Sequence, residues 1–523
     1  MFSIHISKIK VLKRLSIIVL ATCCLVFVIS SRQWPLVNDA ALIRYVTFLL
    51  EGHLAPYRQI YDINMPGSYL VDWTVTHFLG NTALAWRIFD LVLLAAICWA
   101  MFSLARLQSR FAGIYAGTFF ALFHARNGIA QLGQRDLTMT ALLLVGSSCL
   151  LKDKWHPAWI RFACFGLFVG LSATIKPQAI LFLLVASVPY LSSIESRTAN
   201  LINIKGIVRA ILVSALTASI PIIGVVIWLS SRGAIPAFWT TITSLIPLHA
   251  RLGAHSFFYL LSRCLTASHA TILVLAVSLG LTAEREQKPS VARNRVRLLL
   301  ICGMMFGFLS YMMQVKSYPY HRYPFVAFLS LFAALEFTYA LNASGARQLA
   351  AIVGITFGLT LSVLYTIHSL HDTWQTAQVD SLEVDLNSLG GATLSGNIQC
   401  VDTIDGCLAT LYRLRLTQST GNLYDEFLFL PPNIATARQA GTIADMQKGF
   451  LHTLSSAPPY VIVLTPWLFP GGPTDYKKLQ LWPAFENILA QCYEMRIERH
   501  ILGRPPDHPG YRIYVRLPTC KKH

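Results

Sequence analysis

The sequence predicts an α-helical polytopic membrane protein, with about 11 transmembrane helices by length and hydropathy, that ends in a small extracytoplasmic α/β domain. Three observations predict it. Of 523 residues, 54% are hydrophobic and only 13% are charged, a balance far from that of an ordinary soluble domain. The mean hydropathy is +0.52, and the apolar residues are gathered into long runs. From about His368 onward those runs stop, and the chain alternates as a soluble one does.

A membrane-crossing helix needs about 20 mostly apolar residues, down to about 17, because the hydrocarbon core is ~30 Å thick and each helical residue rises ~1.5 Å. The candidates are Leu15 to Ile29, Ala83 to Leu104, Phe111 to His124, Leu137 to Leu151, Ala158 to Ile175, Pro177 to Leu191, Ile207 to Leu229, Thr266 to Leu281, Leu298 to Met313, Tyr323 to Leu341 and Leu349 to Ile367. The third and fourth are short for a bilayer. The first has the basic start of a signal peptide, at Lys8, Lys10, Lys13 and Arg14, but no clear small-residue cleavage site follows, so it reads as a retained anchor. These spans make a transmembrane body, 1–367, whose first external loop is 31–82, followed by a tail, 368–523.

Short cytoplasmic loops are enriched in Lys and Arg, which orients the chain. Alternate loops hold the N-terminal cluster, Arg106 and Arg110, Lys152 and Lys154, Arg197, Lys205 and Arg209, the run Arg285, Lys288, Arg293, Arg295 and Arg297, and Arg347. The other loops are poorer in both. The N-terminus is therefore expected in the cytoplasm and the tail outside it. The net charge of +18 is then mainly a topology signal, with attraction to anionic membrane lipid second and no nucleic-acid partner implied.

In the tail, alternation and β-branched residues predict strands at Tyr460 to Thr465 and Tyr511 to Leu517, and helical spacing predicts helices at Ile443 to Leu454 and Pro483 to Cys492. Most of the 11 cysteines lie in apolar spans, where Cys behaves as a small hydrophobe. Cys400, Cys407, Cys492 and Cys520 lie in the tail, an oxidising location if the host is a Gram-negative bacterium, and Cys400 with Cys407 is a candidate disulfide. No Cys-x-x-Cys pair or suitably spaced His accompanies them, which disfavours a metal site.

The external loop carries the most information. Asn38 and Asp39 precede Ala40 to Glu51, whose broad apolar face and terminal Gly52 predict an amphipathic helix at the membrane surface. A turn-rich stretch, Ala55 to Gly67, holds Asp62, and Ser68 to Leu79 reads as a second short helix. Acids are scarce in the body, yet Asp39, Glu51, Asp62, Asp72 and Asp136 all map to the outer face. Arg58, Arg126, Arg135, Lys176, Lys316, His321 and Arg322 map there too. Ionisable groups beside hydrocarbon are costly and usually serve a site or an ion pair.

Each of these residues has a plainer reading as well. Asp39 suits the helix N-cap, Asp62 an Asx turn before Asn64 and Pro66, and Asp136 a salt bridge to Arg135 or Arg126. Lys176 can snorkel to lipid headgroups, and His321 and Arg322, between Tyr320 and Tyr323, suit an aromatic interface belt.

Taken in order, the Asp after the first span, Gly-His-Leu-Ala-Pro-Tyr, Tyr-Asp-Ile-Asn-Met-Pro-Gly, Arg135-Asp136, Thr174-Ile175-Lys176-Pro177 and Tyr320-His321-Arg322-Tyr323 resemble the GT-C glycosyltransferases. The likeness is greatest to the family 39 and family 83 type, which includes protein mannosyltransferases and the lipid A aminoarabinose transferase. It covers the membrane body and is weak in the tail. It implies inverting transfer of a sugar from a polyprenyl-phosphate donor to an envelope acceptor, whether lipid A or its core, another glycolipid or a protein, on the outer face of the inner membrane. The matching base is Asp39, with Asp62 a second catalytic candidate. Arg58, Lys176, His321 and Arg322 are the candidates for the donor phosphate, and Arg135 and Asp136 for support. Many members pair two acids in this loop, whereas Ala40 follows Asp39 here, so no obligatory metal or other cofactor is expected. A transporter or flippase, or a polysaccharide polymerase or ligase, acting on a lipid-linked substrate are the competing classes. Transporters usually show internal repeats and midplane polar groups, and neither is visible.

Overall fold

The computed structural model describes residues 2–152, 157–191, 203–286, 291–371, 374–431, 433–466, 469, 475–502 and 510–520. Lys154, Arg197 and Lys288, three of the residues used for orientation, lie outside them. Helices α1 (Phe2–Ser30), α2 (Asn38–Glu51), α3 (Pro66–Leu79), α4 (Ala83–Ala105), α5 (Arg110–Ala125), α6 (Arg135–Leu150) and α7 (Trp159–Ile175) open the chain. A 3-10 run, Pro177–Ser187, leads into α8 (Val188–Leu191), then α9 (Ile204–Ser231), α10 (Ile235–Thr240), α11 (Ile246–Arg251), α12 (Phe257–Cys264), α13 (Ala267–Glu286), α14 (Val291–Met313), α15 (Tyr323–Ala340) and α16 (Ala346–Ser369). The tail adds α17 (Trp374–Leu389), α18 (Cys407–Arg413), α19 (Ala437–Ser456) and α20 (Pro483–Cys492).

All eleven apolar runs are helical to within about a residue at each end. By length and composition, however, six helices among the described residues can cross a membrane, or seven if α12 and the apolar part of α13, bent by 70° at their break, form one span. The count of eleven crossings is therefore not reached. The shortfall lies in α5, α6 and α7, of 16, 16 and 17 residues, and in the Pro177–Leu191 segment. Both α5 and α6 are buried along nearly their whole length. A helix enclosed by protein need not match the hydrocarbon thickness.

Close helix packing comes from small residues. A Cβ at Gly166 of α7 would stand 2.1 Å from the Ser214 carbonyl of α9, and one at Gly170 would stand 2.2 Å from that of Ala218. This is the small-xxx-small contact by which membrane helices approach backbone to backbone.

The tail builds a four-stranded sheet from β1 (Ile398–Val401), β2 (Val461–Leu464), β3 (Tyr493–Arg499) and β4 (Tyr511–Arg516), in the order β1-β2-β4-β3. β1 and β2 are parallel and the other pairs antiparallel. β2, β4, α19 and α20 lie where periodicity places them, whereas β1 and β3 were not legible. The central β2 is buried at every position. Disulfides join Cys400 to Cys407 and Cys492 to Cys520.

One apolar core is made of the body helices, from Leu20 to Tyr365. A second combines the tail with α2, α3 and the α9 to α11 region. This corrects the expectation for α2. Ten of its fourteen residues are buried, so it does not lie open on the membrane surface. Leu408, Leu411 and Tyr412 of α18 share its core, because its apolar face is broad enough to be covered from the tail side too. The helix ends after Glu51 as expected, but the left-handed residue is His53 at φ 67°, while Gly52 sits at φ −76°. The tail also approaches the 31–82 loop very closely. Tyr61 donates its backbone N–H to Gly421 at 2.8 Å, and a Cβ at Gly421 would overlap the Gln59 carbonyl at 1.7 Å.

Candidate active site

The start of α2 sets Asp39. The helix begins at Asn38, so Asp39 falls inside its first turn, and no side chain caps the helix. The carboxylate is free to turn outward. Its Oδ2 accepts from the Tyr320 hydroxyl at 3.0 Å and from Arg135 Nη2 at 3.3 Å. Arg135 opens α6 and donates with its other terminal nitrogen to the side-chain carbonyl of Asn64.

Asn64 is held in turn by Asp62. The Asp62 carboxylate accepts from the backbone N–H of Ile63 at 2.7 Å and of Asn64 at 3.2 Å, and from the Asn64 amide at 2.8 Å. The Tyr69 and Tyr424 hydroxyls donate to it at 2.6 and 2.8 Å. The turn reading of Asp62 is thus realised in its geometry. Burial pushes the Tyr69 and Tyr424 hydroxyls well above the usual phenol range, and the adjacent Asp62 charge adds to this, so both stay protonated donors.

Lys176 stands at the break between α7 and the following 3-10 run, where Pro177 ends the α-helix. Its Nζ lies 3.2 Å from Asp136 Oδ2 and donates to Gln314 Oε1 at 2.8 Å. Burial lowers the Lys176 ammonium from its ordinary value, against the pull of Asp136. Between α14 and α15 the chain carries Lys316, Tyr318, Tyr320 and His321. The His321 ring is edge-on to those of Tyr318 and Tyr320, with centroids 5.4 and 4.8 Å away.

These groups enclose a cavity of about 280 Å³. Asp39, Arg135, Lys176 and His321 line it, as do Asn64, Gln314, Lys316, Tyr320 and His249. The tail closes it with Thr403, Ile404, Tyr424 and Phe469. Asp39 is the one acid among the lining residues. Asp136 stands behind Lys176 and Asp62 behind Asn64. A second, larger cavity of about 590 Å³ lies alongside, mostly apolar, between α2, α3, α7 and α9. The two share wall segments: Met65 and Lys176 face the first, Pro66 and Thr174 the second.

Two of the expected phosphate cations are elsewhere. Arg58 is exposed and lies by Gly233, because Tyr57 adopts φ 60° and its ring packs inward on Tyr69 and Phe238. Arg322 donates to the Arg263 carbonyl at 3.0 Å and lies against the Phe123 ring, since a 3-10 turn ending in Arg322 points it away from His321. Lys316 takes a place on the cavity wall that these two do not. The spans map it to the same face as the other candidates, but nothing local distinguished it.

No protein-family model and no curated protein matches the chain. Among solved structures it is similar to ArnT from Cupriavidus metallidurans bound to undecaprenyl phosphate, with a TM-score of 0.58 over 96% of this chain and 98% of that one, at 13% identity. The chain has the GT-C glycosyltransferase fold. The Archaeoglobus fulgidus oligosaccharyltransferase, tethered with an acceptor peptide, is also similar, with a TM-score of 0.51 and 11% identity over 86% of this chain and 68% of that one. In this GT-C chain the cavity lies where the 31–82 loop, the loop ends of the body helices and the tail converge.

Proposed function

We propose that this protein is a multi-pass membrane glycosyltransferase that moves a sugar from a polyprenyl-phosphate donor to a hydroxyl of an envelope glycolipid or protein, with inversion. The observation that carries the reading is the cavity itself, in which a single lining carboxylate, Asp39, faces Lys176 and His321. Asp39 takes the proton of the acceptor hydroxyl as that oxygen bonds to the anomeric carbon. At the same time the bond from that carbon to the donor phosphate breaks, and its electron pair passes to the phosphate oxygen. Lys176 stabilises the charge that grows there. Arg135 and Tyr320 orient Asp39, and Asp62 positions Asn64, which holds Arg135.

The large apolar cavity beside the charged one supports a lipid-linked substrate. So does the fold shared with a protein whose structure holds undecaprenyl phosphate. The expected result is transfer of label when purified protein is incubated with labelled polyprenyl-phosphate sugars and glycolipid or protein acceptors. Absence of transfer from every donor to every acceptor sinks the reading.

The same reading puts the site on the outer face of the inner membrane, with the N-terminus of the 1–367 body in the cytoplasm and the 368–523 tail outside. A reporter fused after Ile367 is expected to be active only outside the cytoplasm. Activity of a cytoplasmic reporter at that position overturns the orientation.

A further inference from the structure

The cations of the small cavity differ in how closely their charge is answered. Arg135 lies 3.3 Å from Asp39, and Lys176 lies 3.2 Å from Asp136. Lys316 has no carboxylate at ion-pair distance among the described residues. Its Nζ lies 3.0 Å from His249 Nε2 and 4.6 Å from the centre of the Phe469 ring. The other nitrogen of His249, Nδ1, meets Oε1 of Glu426, a wholly buried carboxylate of the tail 177 residues further along the chain.

The chemistry of these groups assigns their protons. An ammonium only donates, so His249 Nε2 accepts from Lys316. The ring's proton is then on Nδ1 and is donated to Glu426. The imidazole is neutral, and the negative charge stands one ring-width behind the lysine. Lys316 therefore faces the cavity with a positive charge that no contacting acid cancels, held in place by a neutral acceptor and by an aromatic ring. Such a group suits an oxyanion that gains charge during the reaction.

We propose that Glu426 and His249 are positioning residues, and that they hold Lys316 as a second cation, beside Lys176, that receives the phosphate of the departing polyprenyl carrier. This rests on the glycosyl-transfer reading of the cavity. The sugar–phosphate bond breaks with its electron pair going to the phosphate oxygen, and Lys316 keeps its protons throughout. The tail thereby contributes to the site through Glu426, which sits in a 3-10 turn, Asp425–Phe427.

A titration distinguishes this from a merely structural contact. The groups facing Lys316 are Asp39 on α2, His249 on α11, Glu426 in the tail and His321 further along its own loop. Burial lowers the Lys316 ammonium to about 8, against the raising effect of Glu426 and Asp39. The charge is present below that pH and lost above it. Taking away the Glu426 charge removes a raising effect and moves the loss to lower pH.

The experiment is binding of undecaprenyl phosphate to the purified full chain in detergent, on both sides of this titration. Wild-type binding is expected to weaken as pH rises through about 8. Lys316→Met is expected to bind about tenfold more weakly at neutral pH. Glu426→Gln moves the loss of binding to lower pH, and Lys316→Arg moves it to higher pH. Binding by Lys316→Met equal to wild type, or an alkaline loss left in place by Lys316→Arg, overturns the proposal, and the arginine variant serves even if Glu426→Gln does not fold. If wild type neither binds the probe nor transfers sugar, the glycosyl-transfer reading itself falls, and this inference falls with it.

Discussion

Asp39→Asn is expected to lower the rate of sugar transfer by about 10²- to 10⁴-fold while leaving the protein folded. The amide has the shape of the carboxylate, and its oxygen still accepts from the Tyr320 hydroxyl and Arg135, now 3.0 and 3.3 Å away. What it cannot do is take a proton. Initial rates with a labelled polyprenyl-phosphate sugar check this, read beside the thermal midpoint of each protein. Transfer at the wild-type rate removes Asp39 as base, and a lowered midpoint with unchanged rate assigns it to structure alone. The magnitude reflects proton transfer only, because the remaining stabilisation of the phosphate comes from the other wall of the cavity.

How the residues divide between legible and hidden follows from the range of the forces that place them. The apolar runs were readable because transfer into lipid acts residue by residue along a helix, so hydropathy marks α4, α9 or α16 without reference to partners. Asp39, Arg135, Lys176 and His321 were readable as groups at the same ends of the spans, and the cavity gathers all four. Arg58 and Arg322 map to the same ends of the spans, but left-handed Tyr57 and the 3-10 turn at Pro319–Arg322 turn them aside. One backbone dihedral decides such a case, and no periodicity reports it. Asp62 was undecided between turn and catalysis, and the partners that satisfy its carboxylate, Tyr69 and Tyr424 among them, appear only in three dimensions. His249, Glu426, Thr403 and Phe469 were out of reach for a different reason. His249, Thr403 and Phe469 meet on the cavity wall, with Glu426 behind His249, because the tail docks on α2 and on the α9 to α11 region, a contact between segments far apart in the chain. Length alone does not confirm the expected number of crossings either, since burial of α5 and α6 among neighbours frees them from the length rule.

Arg44→Met is expected to destabilise the protein by about 3–5 kcal/mol, the cost of breaking a buried ion pair by removing one partner. The Arg44 side chain is 0% exposed, and its donors go to three different segments. Nε donates to the Tyr412 hydroxyl of α18 at 2.7 Å, Nη1 to Asp72 of α3 at 2.6 Å and Nη2 to the Asn81 side chain at 2.7 Å. The guanidinium also lies over the Tyr412 ring, 4.9 Å from its centre. Without Arg44, Asp72 keeps Trp86 Nε1, at 2.9 Å, and the Thr47 hydroxyl as side-chain partners, neither of them charged, in a site where it is 0% exposed. Burial already pushes the Asp72 carboxyl above its usual range, and Arg44 is the chief opposing influence. Its loss leaves the carboxyl to protonate or to draw in water, and either loosens the joint between α2, α3 and the tail. That joint carries Asp39 on one side and the cavity's tail wall on the other, so transfer activity should fall along with stability. The check is the unfolding midpoint in detergent for Arg44→Met and for Arg44→Met/Asp72→Leu. The double variant removes both charges and fills the space with apolar atoms, so it should regain most of the lost stability. Equal midpoints for wild type and Arg44→Met refute the clamp, and a double variant as unstable as the single one shows that the lost hydrogen bonds to Tyr412 and Asn81, rather than the stranded carboxylate, set the cost.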